Sequence, residues 1–133
     1  MIVLDTHVLL WVDQASDRLG SASRRLAESA WEDGVAAVSA IAFWEVAMLA
    51  QKGRIRTSLD LGGWRQDLLN AGLIELPVDG ATGIEATRFE GLHGDPADRI
   101  ILATAIRNKA ALLTADDRLI EWSGTLERYD ARR

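Results

Sequence analysis

Apolar positions along the chain fall in short runs with polar or glycine-containing breaks between them, and the spacing within the runs alternates between two kinds. "MIVLD" (1–5) is a continuous apolar run of strand length that ends in an acid. "THVLLWV" (6–12) follows as a short helix. "GSASRRLAESAWEDG" (20–34) has helical periodicity, with Ser21 or Ser23 as N-cap and Gly34 as stop. "VAAVS" (35–39) is a second strand, and Ser39 caps the next helix, which ends near Gly53. "LGGWRQDLLNAG" (61–72) is a further helix, and "LIELPV" (73–78) is a strand placed at a sheet edge by Pro77. "GATGIEATRFEGL" (80–92) is a weaker helix. "DPADRIILATAIRNKA" (95–110) is a strong one, capped by Asp95 with Pro96 at its first position. A strand "ALLTA" (111–115), a short helix "DDRLIEWS" (116–123) and a strand "TLERYDA" (125–131) close the chain.

Strands and helices alternate throughout. This predicts an α/β fold with three layers, a mostly parallel central sheet flanked by helices, in a single domain over residues 1–133. Sites in such sheets lie outside the carboxyl ends of the strands. Asp5 ends the first strand and Asp116 follows "ALLTA", so both fall at that edge.

One helix breaks its own pattern. In "SAIAFWEVAMLAQ" (39–51), Glu45 is the one polar residue between Ile41 and Ala50. It shares a face with Ile41, Met48 and Leu49, so it reads as a carboxylate in the core, the most buried of the chain's candidate acids. An unpaired buried charge costs several kcal/mol or more. Asp98, by the same spacing, faces Ile101, Leu102 and Ala105. Taken singly, Asp5, Asp116 and Asp117 can be helix caps, Asp98 can answer the helix dipole, and Glu45 can pair with an Arg. Taken together, Asp5, Glu45, Asp98 and Asp116 form one acidic site holding one or two hard divalent cations, Mg²⁺ or Mn²⁺. There is no Cys and no His cluster, which argues against a zinc-type donor set.

Composition changes this picture little. The 48% hydrophobic and 26% charged fractions are those of a soluble globular protein. No apolar stretch approaches the ~20 residues of a membrane helix. A first strand starting at Ile2 leaves no room for a signal peptide, which fits a cytoplasmic location. The net charge of −5 on first count disfavours nucleic acid. Once the four site acids are set against metal ions, the remaining acids nearly balance the 15 basic residues. Arg outnumbers Lys 13 to 2, and Arg can hold phosphate bidentately.

The pieces "LDTHVLLW" (4–11), "SAIAFWEVAMLAQKGRI" (39–55), "HGDPADRIILATA" (93–105) and "LLTADDRL" (112–119) stand in the order and spacing of a known family. The chain resembles the PIN-domain ribonucleases, and among them the VapC-type toxins of bacterial and archaeal toxin–antitoxin pairs. The resemblance spans nearly the whole chain. It implies a metal-dependent endoribonuclease that hydrolyses phosphodiester bonds of RNA. It also implies a cognate antitoxin of VapB type and a homodimer, or a higher assembly with the antitoxin. Asp5, Glu45, Asp98 and Asp116 are similar to the family's catalytic, metal-holding quartet, with Asp117 adjacent as the other choice for the fourth acid. Thr114 resembles a hydroxyl that orients an acid or a water. Thr6 and Ser39 stand where hydroxyls accompany the site, and both also read as helix caps.

Other residues stay open. Arg99 can pair with an acid or touch phosphate. His7 and His93 sit beside motif acids, in structural or supporting roles. Lys52, Arg54 and Arg56 form a basic stretch for RNA backbone or a solvated helix end. The Trp residues at 11, 31, 44, 64 and 122 serve core and interface, with Trp11 and Trp44 on helices suited to a dimer face or an antitoxin groove. A phosphoaspartyl phosphatase would need a second Asp where His7 stands. A receiver module would need an acid pair after the first strand and a Lys after a late strand. A PIN-like module that binds without cutting is the remaining alternative.

Overall fold

The computed structural model describes residues 1–55 and 60–133, so Arg56 lies outside the described residues. The elements run β1 (Ile2–Leu4), α1 (Thr6–Asp13), α2 (Ser21–Glu32), β2 (Ala36–Ser39), α3 (Ile41–Gln51), α4 (Leu61–Asn70), β3 (Ile74–Leu76), α5 (Gly80–Ala86), α6 (Pro96–Arg107), β4 (Ala111–Thr114), α7 (Asp117–Ile120) and β5 (Arg128–Asp130). Among the described residues no helix is long and apolar enough to cross a membrane.

The five strands form one sheet in the order β3-β2-β1-β4-β5, and every pairing is parallel. β1 lies at the centre, with Val3 opposite both Ala37 of β2 and Leu112 of β4. Alternation along the central strands feeds two cores. Ile2, Leu4, Val38 and Leu113 join Val8, Leu9, Ala27 and Leu68 on one face. Val3, Ala37 and Leu112 join Ile101, Leu102, Phe89 and Leu119 on the other. Burial on both faces explains why β1 reads as an unbroken apolar run. The chain first builds outward from β1 through β2 to β3, then crosses to β4 and β5 on the other side. That reversal opens a crevice at the carboxyl ends of β1 and β4.

Several expected boundaries move, each for a local reason. Neither Ser21 nor Ser23 caps α2: its N-cap is Gly20, and the Ser23 hydroxyl donates to the Asp130 carbonyl at 3.1 Å, fastening α2 to β5. Ser39 does not cap α3 either. The N-cap is Ala40, without a side-chain bond, because Ser39 is still in β2 and its hydroxyl is bonded at 2.9 Å to that of Thr104 on α6. Gly34 and Gly53 follow α2 and α3 with φ of 71° and 69°, a left-handed turn that costs glycine nothing.

The elements expected over 80–92, 116–123 and 125–131 are shorter than their patterns, and two arginines account for it. The Arg128 guanidinium donates to the carbonyls of Leu119, Trp122 and Gly124. The Arg99 guanidinium donates to those of Ala86, Phe89, Leu92 and His93, at 3.1, 3.3, 2.6 and 3.0 Å. These carbonyls find a side-chain partner instead of a helical or ladder one. Among the described residues Arg99 is therefore bonded to carbonyls rather than to an acid; it holds the segment between α5 and α6.

Replacing Arg99 should cost stability accordingly. Arg99→Ala is expected to lower the unfolding free energy by about 2–3 kcal/mol, the scale of lost hydrogen bonds to a charged donor. Arg99→Lys should recover only part, since one ammonium cannot span the fork. Urea denaturation monitored by Trp fluorescence reads both.

Candidate active site

The crevice is a cleft of about 310 Å³ lined by Asp5, His7, Trp11, Glu45, Asp95, Asp98, Ala115, Asp116 and Arg118. All four carboxylates expected from the sequence meet there. Each arrives by a different route. Asp5 leaves the end of β1 and is the N-cap of α1. Glu45 projects from the second turn of α3. Asp98 sits in the first turn of α6, where the helix N-terminus favours a negative charge. Asp116 is the N-cap of α7, just past β4. Capping and lining the cleft thus coincide at Asp5 and at Asp116, because α1 and α7 begin just past the ends of β1 and β4. Asp117 points away, exposed and paired with Arg132 at 2.6 Å.

Hydroxyls hold the acids in place. Asp5 Oδ1 accepts the Thr6 amide at 2.8 Å, and its Oδ2 accepts the Thr114 hydroxyl at 2.6 Å. The same Thr114 oxygen accepts the Asp116 amide at 3.0 Å, so one buried threonine links two acids. The Thr6 hydroxyl donates to Glu45 Oε1 at 2.5 Å. Ser39 is not part of the cleft.

Glu45 differs from its expected setting. It is only half-buried, while Asp5 and Asp98 are 7% and 8% exposed. α3 buries just Ala42 and Val46, and Trp44 is 51% exposed. The apolar helix is not a core helix, and among the described residues Glu45 has a hydroxyl partner rather than an Arg.

Two neighbours went unrecognised in the sequence. Asp95 reads there only as a cap, and it does cap α6 through the amides of Ala97 and Asp98, yet it also lines the cleft. Arg118 carries no motif signal beyond standing two residues after Asp116. Its guanidinium meets both Asp116 oxygens at 3.1 Å and Asp98 Oδ2 at 3.5 Å. His7 lines the cleft and is exposed. His93 Nε2 lies 3.1 Å from Asp98 Oδ2, and its Nδ1 is buried without a partner among the described residues. Lys52 and Arg54, at the end of α3, are exposed and do not line the cleft.

Crowded carboxylates hold protons tightly. Burial raises Asp5 above its ordinary pKa, against the pull of the Thr114 hydroxyl and the Thr6 amide. Burial also raises Glu45, with the charge of Asp5 adding and the Thr6 bond opposing. Asp98 is pushed up to about 8, by burial first and then by the charges of Asp5, Asp95, Asp116 and Glu45. Burial would raise Asp116 as well, but bonds from the Arg118 guanidinium and amide hold it below the usual range. Nearly every donor atom is a carboxylate oxygen, which suits a hard divalent cation. Ligand atoms of His93, Asp95 and Asp98 come within 4.8 Å of one another. In that trio His93 already faces Asp98, and an Asp95 oxygen is engaged by the α6 amides.

The shift of Asp98 sets the sign of a pH effect. Between its unfolded pKa near 3.8 and about 8, the folded protein holds a proton that the unfolded chain has released. Stability in chelator should therefore fall as pH rises through that window. Urea titrations in EDTA at several pH values between 5 and 8 should show this decline, and Asp98→Asn should flatten it.

Comparison with known proteins agrees with the geometry. The family model for the PIN domain matches residues 2–124. The chain is 36% identical over 122 residues, 89% of its length and 88% of the relative's, to Ribonuclease VapC22 of Mycobacterium tuberculosis. In fold it is similar to VapBC2 of Rickettsia felis, solved with a promoter DNA fragment, at a TM-score of 0.71, with 17% identity and 98% of each chain covered. A toxin–antitoxin complex from Klebsiella pneumoniae matches at a TM-score of 0.63 and 18% identity, again with 98% of each chain covered. With its sheet order, acidic crevice and sequence in agreement, this chain belongs to the PIN-domain family.

Proposed function

We propose that this chain is a metal-dependent endoribonuclease, the toxin of a toxin–antitoxin pair, acting on RNA in the cytoplasm. The observation that carries the reading is the meeting of Asp5, Glu45, Asp98 and Asp116 in one open cleft, two of them oriented by buried threonine hydroxyls. The related ribonuclease supports RNA as the substrate class.

The four carboxylates would hold one or two Mg²⁺ or Mn²⁺ ions. A divalent cation, when bound, supplies acidified water and offsets the charge gathering on phosphoryl oxygens. The chain's own residues prepare for it. Thr114 fixes Asp5 against Asp116, Thr6 fixes Glu45, and His93 faces Asp98, so the oxygens are aimed before anything binds. Asp98 gives up its proton to become a ligand, so binding strengthens as pH rises. Water attack on the phosphorus leaves 5′-phosphate and 3′-hydroxyl ends.

A single assay tests this reading. Single-stranded RNA incubated with the protein should be cut in Mg²⁺ or Mn²⁺ and left intact in EDTA, with 5′-phosphate on the products. Glu45→Gln keeps the acceptor for Thr6 and removes one charge. It should lose cleavage by orders of magnitude while its stability in chelator holds or rises slightly. Cyclic-phosphate ends formed in EDTA would end the metal reading.

The partners follow from two surfaces. A basic side chain from a VapB-type antitoxin would neutralise the acidic cleft. A second copy would cover the open side of α3, where Trp44 is 51% exposed and Met48 and Leu49 are only partly covered. The similar toxin–antitoxin structures support an antitoxin partner. Sedimentation should give a homodimer, and Trp44→Glu should shift it to monomer without unfolding it. A wild-type monomer at tens of micromolar would refute the dimer.

A further inference from the structure

Arg118 is the one permanent cation lining the acidic cleft among the described residues, and five carboxylates line it too. Its position is unusual for a surface helix arginine. The side chain is 56% exposed, yet its guanidinium turns inward to Asp116 and Asp98. It uses both oxygens of Asp116: Nε meets Oδ1 and Nη2 meets Oδ2, each at 3.1 Å, and the Arg118 amide adds a bond to Oδ1 at 2.9 Å. Nη2 also stands 3.5 Å from Asp98 Oδ2.

Asp116, one of the four proposed metal-holding carboxylates, is therefore already engaged by a positive charge, which also stands beside Asp98. A guanidinium and a divalent cation on the same carboxylate repel each other and compete for its lone pairs. The exposed arginine has somewhere else to go. On its other side lies a groove of about 440 Å³, where Glu121, three residues along from Arg118, offers a second carboxylate.

We infer that Arg118 is a built-in counter-ion of the metal-free cleft, which a divalent cation must displace from Asp98 and Asp116 in order to bind. The guanidinium offsets the charge of Asp116 while no metal is bound. The same contact weakens metal binding, because each ion taken up must break it. Arg118 thereby sets how much free metal the protein needs. The inference rests on the metal-dependent reading of the cleft.

Calorimetric titration with Mn²⁺ alone tests it, without RNA and without an activity assay. Arg118→Ala and Arg118→Gln should bind Mn²⁺ about five- to tenfold more tightly than the wild type, within the usual range of coupling between two sites. Arg118→Lys, which keeps the charge, should stay near wild type. Arg132→Ala removes the same charge from a pair with Asp117 and Asp130, outside the cleft, and should leave Mn²⁺ affinity unchanged. Thermal melts add a readout that a purely structural arginine would not move. Arg118→Ala should melt below wild type in EDTA, and saturating Mn²⁺ should narrow that gap; a merely structural loss would persist equally in both. Unchanged or weaker Mn²⁺ binding by Arg118→Ala overturns the inference, as does an equal gain in Arg132→Ala. If none of the proteins takes up Mn²⁺, the metal reading fails and this inference with it. If wild type and Arg118→Ala bind equally well, only the inference fails.

Discussion

Asp5 emerges from the central strand of the sheet directly after three buried residues, and it remains 7% exposed at the head of the crevice. Its charge cannot reach water freely, and Glu45, Asp98 and Asp116 share the same cleft. Like charges so placed repel one another and favour protons. The surroundings answer this repulsion with direct partners. Asp5 receives a hydroxyl and an amide, Glu45 a hydroxyl, Asp116 a guanidinium, and Asp98 keeps a proton to about pH 8. A cluster of this kind is costly for a protein to hold and well suited to receiving a cation.

The topology makes the cluster possible. Reversal of the winding direction beside β1 leaves the carboxyl ends of β1 and β4 uncovered, and helix N-termini crowd the same edge. Rigid packing behind it keeps the geometry. Two apolar cores clamp the sheet, and Arg99 and Arg128 tie the segments beside α6 and α7 through backbone carbonyls. The acids stand at the ends of strands and in the turns of helices rather than on long loops, where positions are set more exactly.

α3 connects this site to the outside. Its composition suggested a core helix, but Ala42 and Val46 alone are buried. One side packs against α1 and α6 and turns Glu45 toward Thr6; another side leaves Trp44 in solvent. An apolar helix with a wet face leaves an uncovered apolar surface one helix away from the acids.

Sequence alone determined the alternating α/β order, the first strand and the edge position of β3, because each leaves a local signature: an apolar run, or a Pro beside a strand. It also singled out four carboxylates, after strands or on apolar helix faces, that the structure brings to one cleft. It also placed Asp95 and Pro96 at the start of α6. Other features depend on partners distant in the chain. Asp116 rather than Asp117 faces the cleft because the α7 cap and Arg132 orient the pair in opposite directions. Ser39 meets Thr104 across 65 positions, so its capping signal was overruled. Arg99 turned to carbonyls rather than, among the described residues, to an acid. Thr114 reaches Asp5 across 109 positions. Only the tertiary structure decided how deeply Glu45 is buried and that Arg118 lies over Asp98, since both depend on which helix faces come together when the sheet closes its crevice.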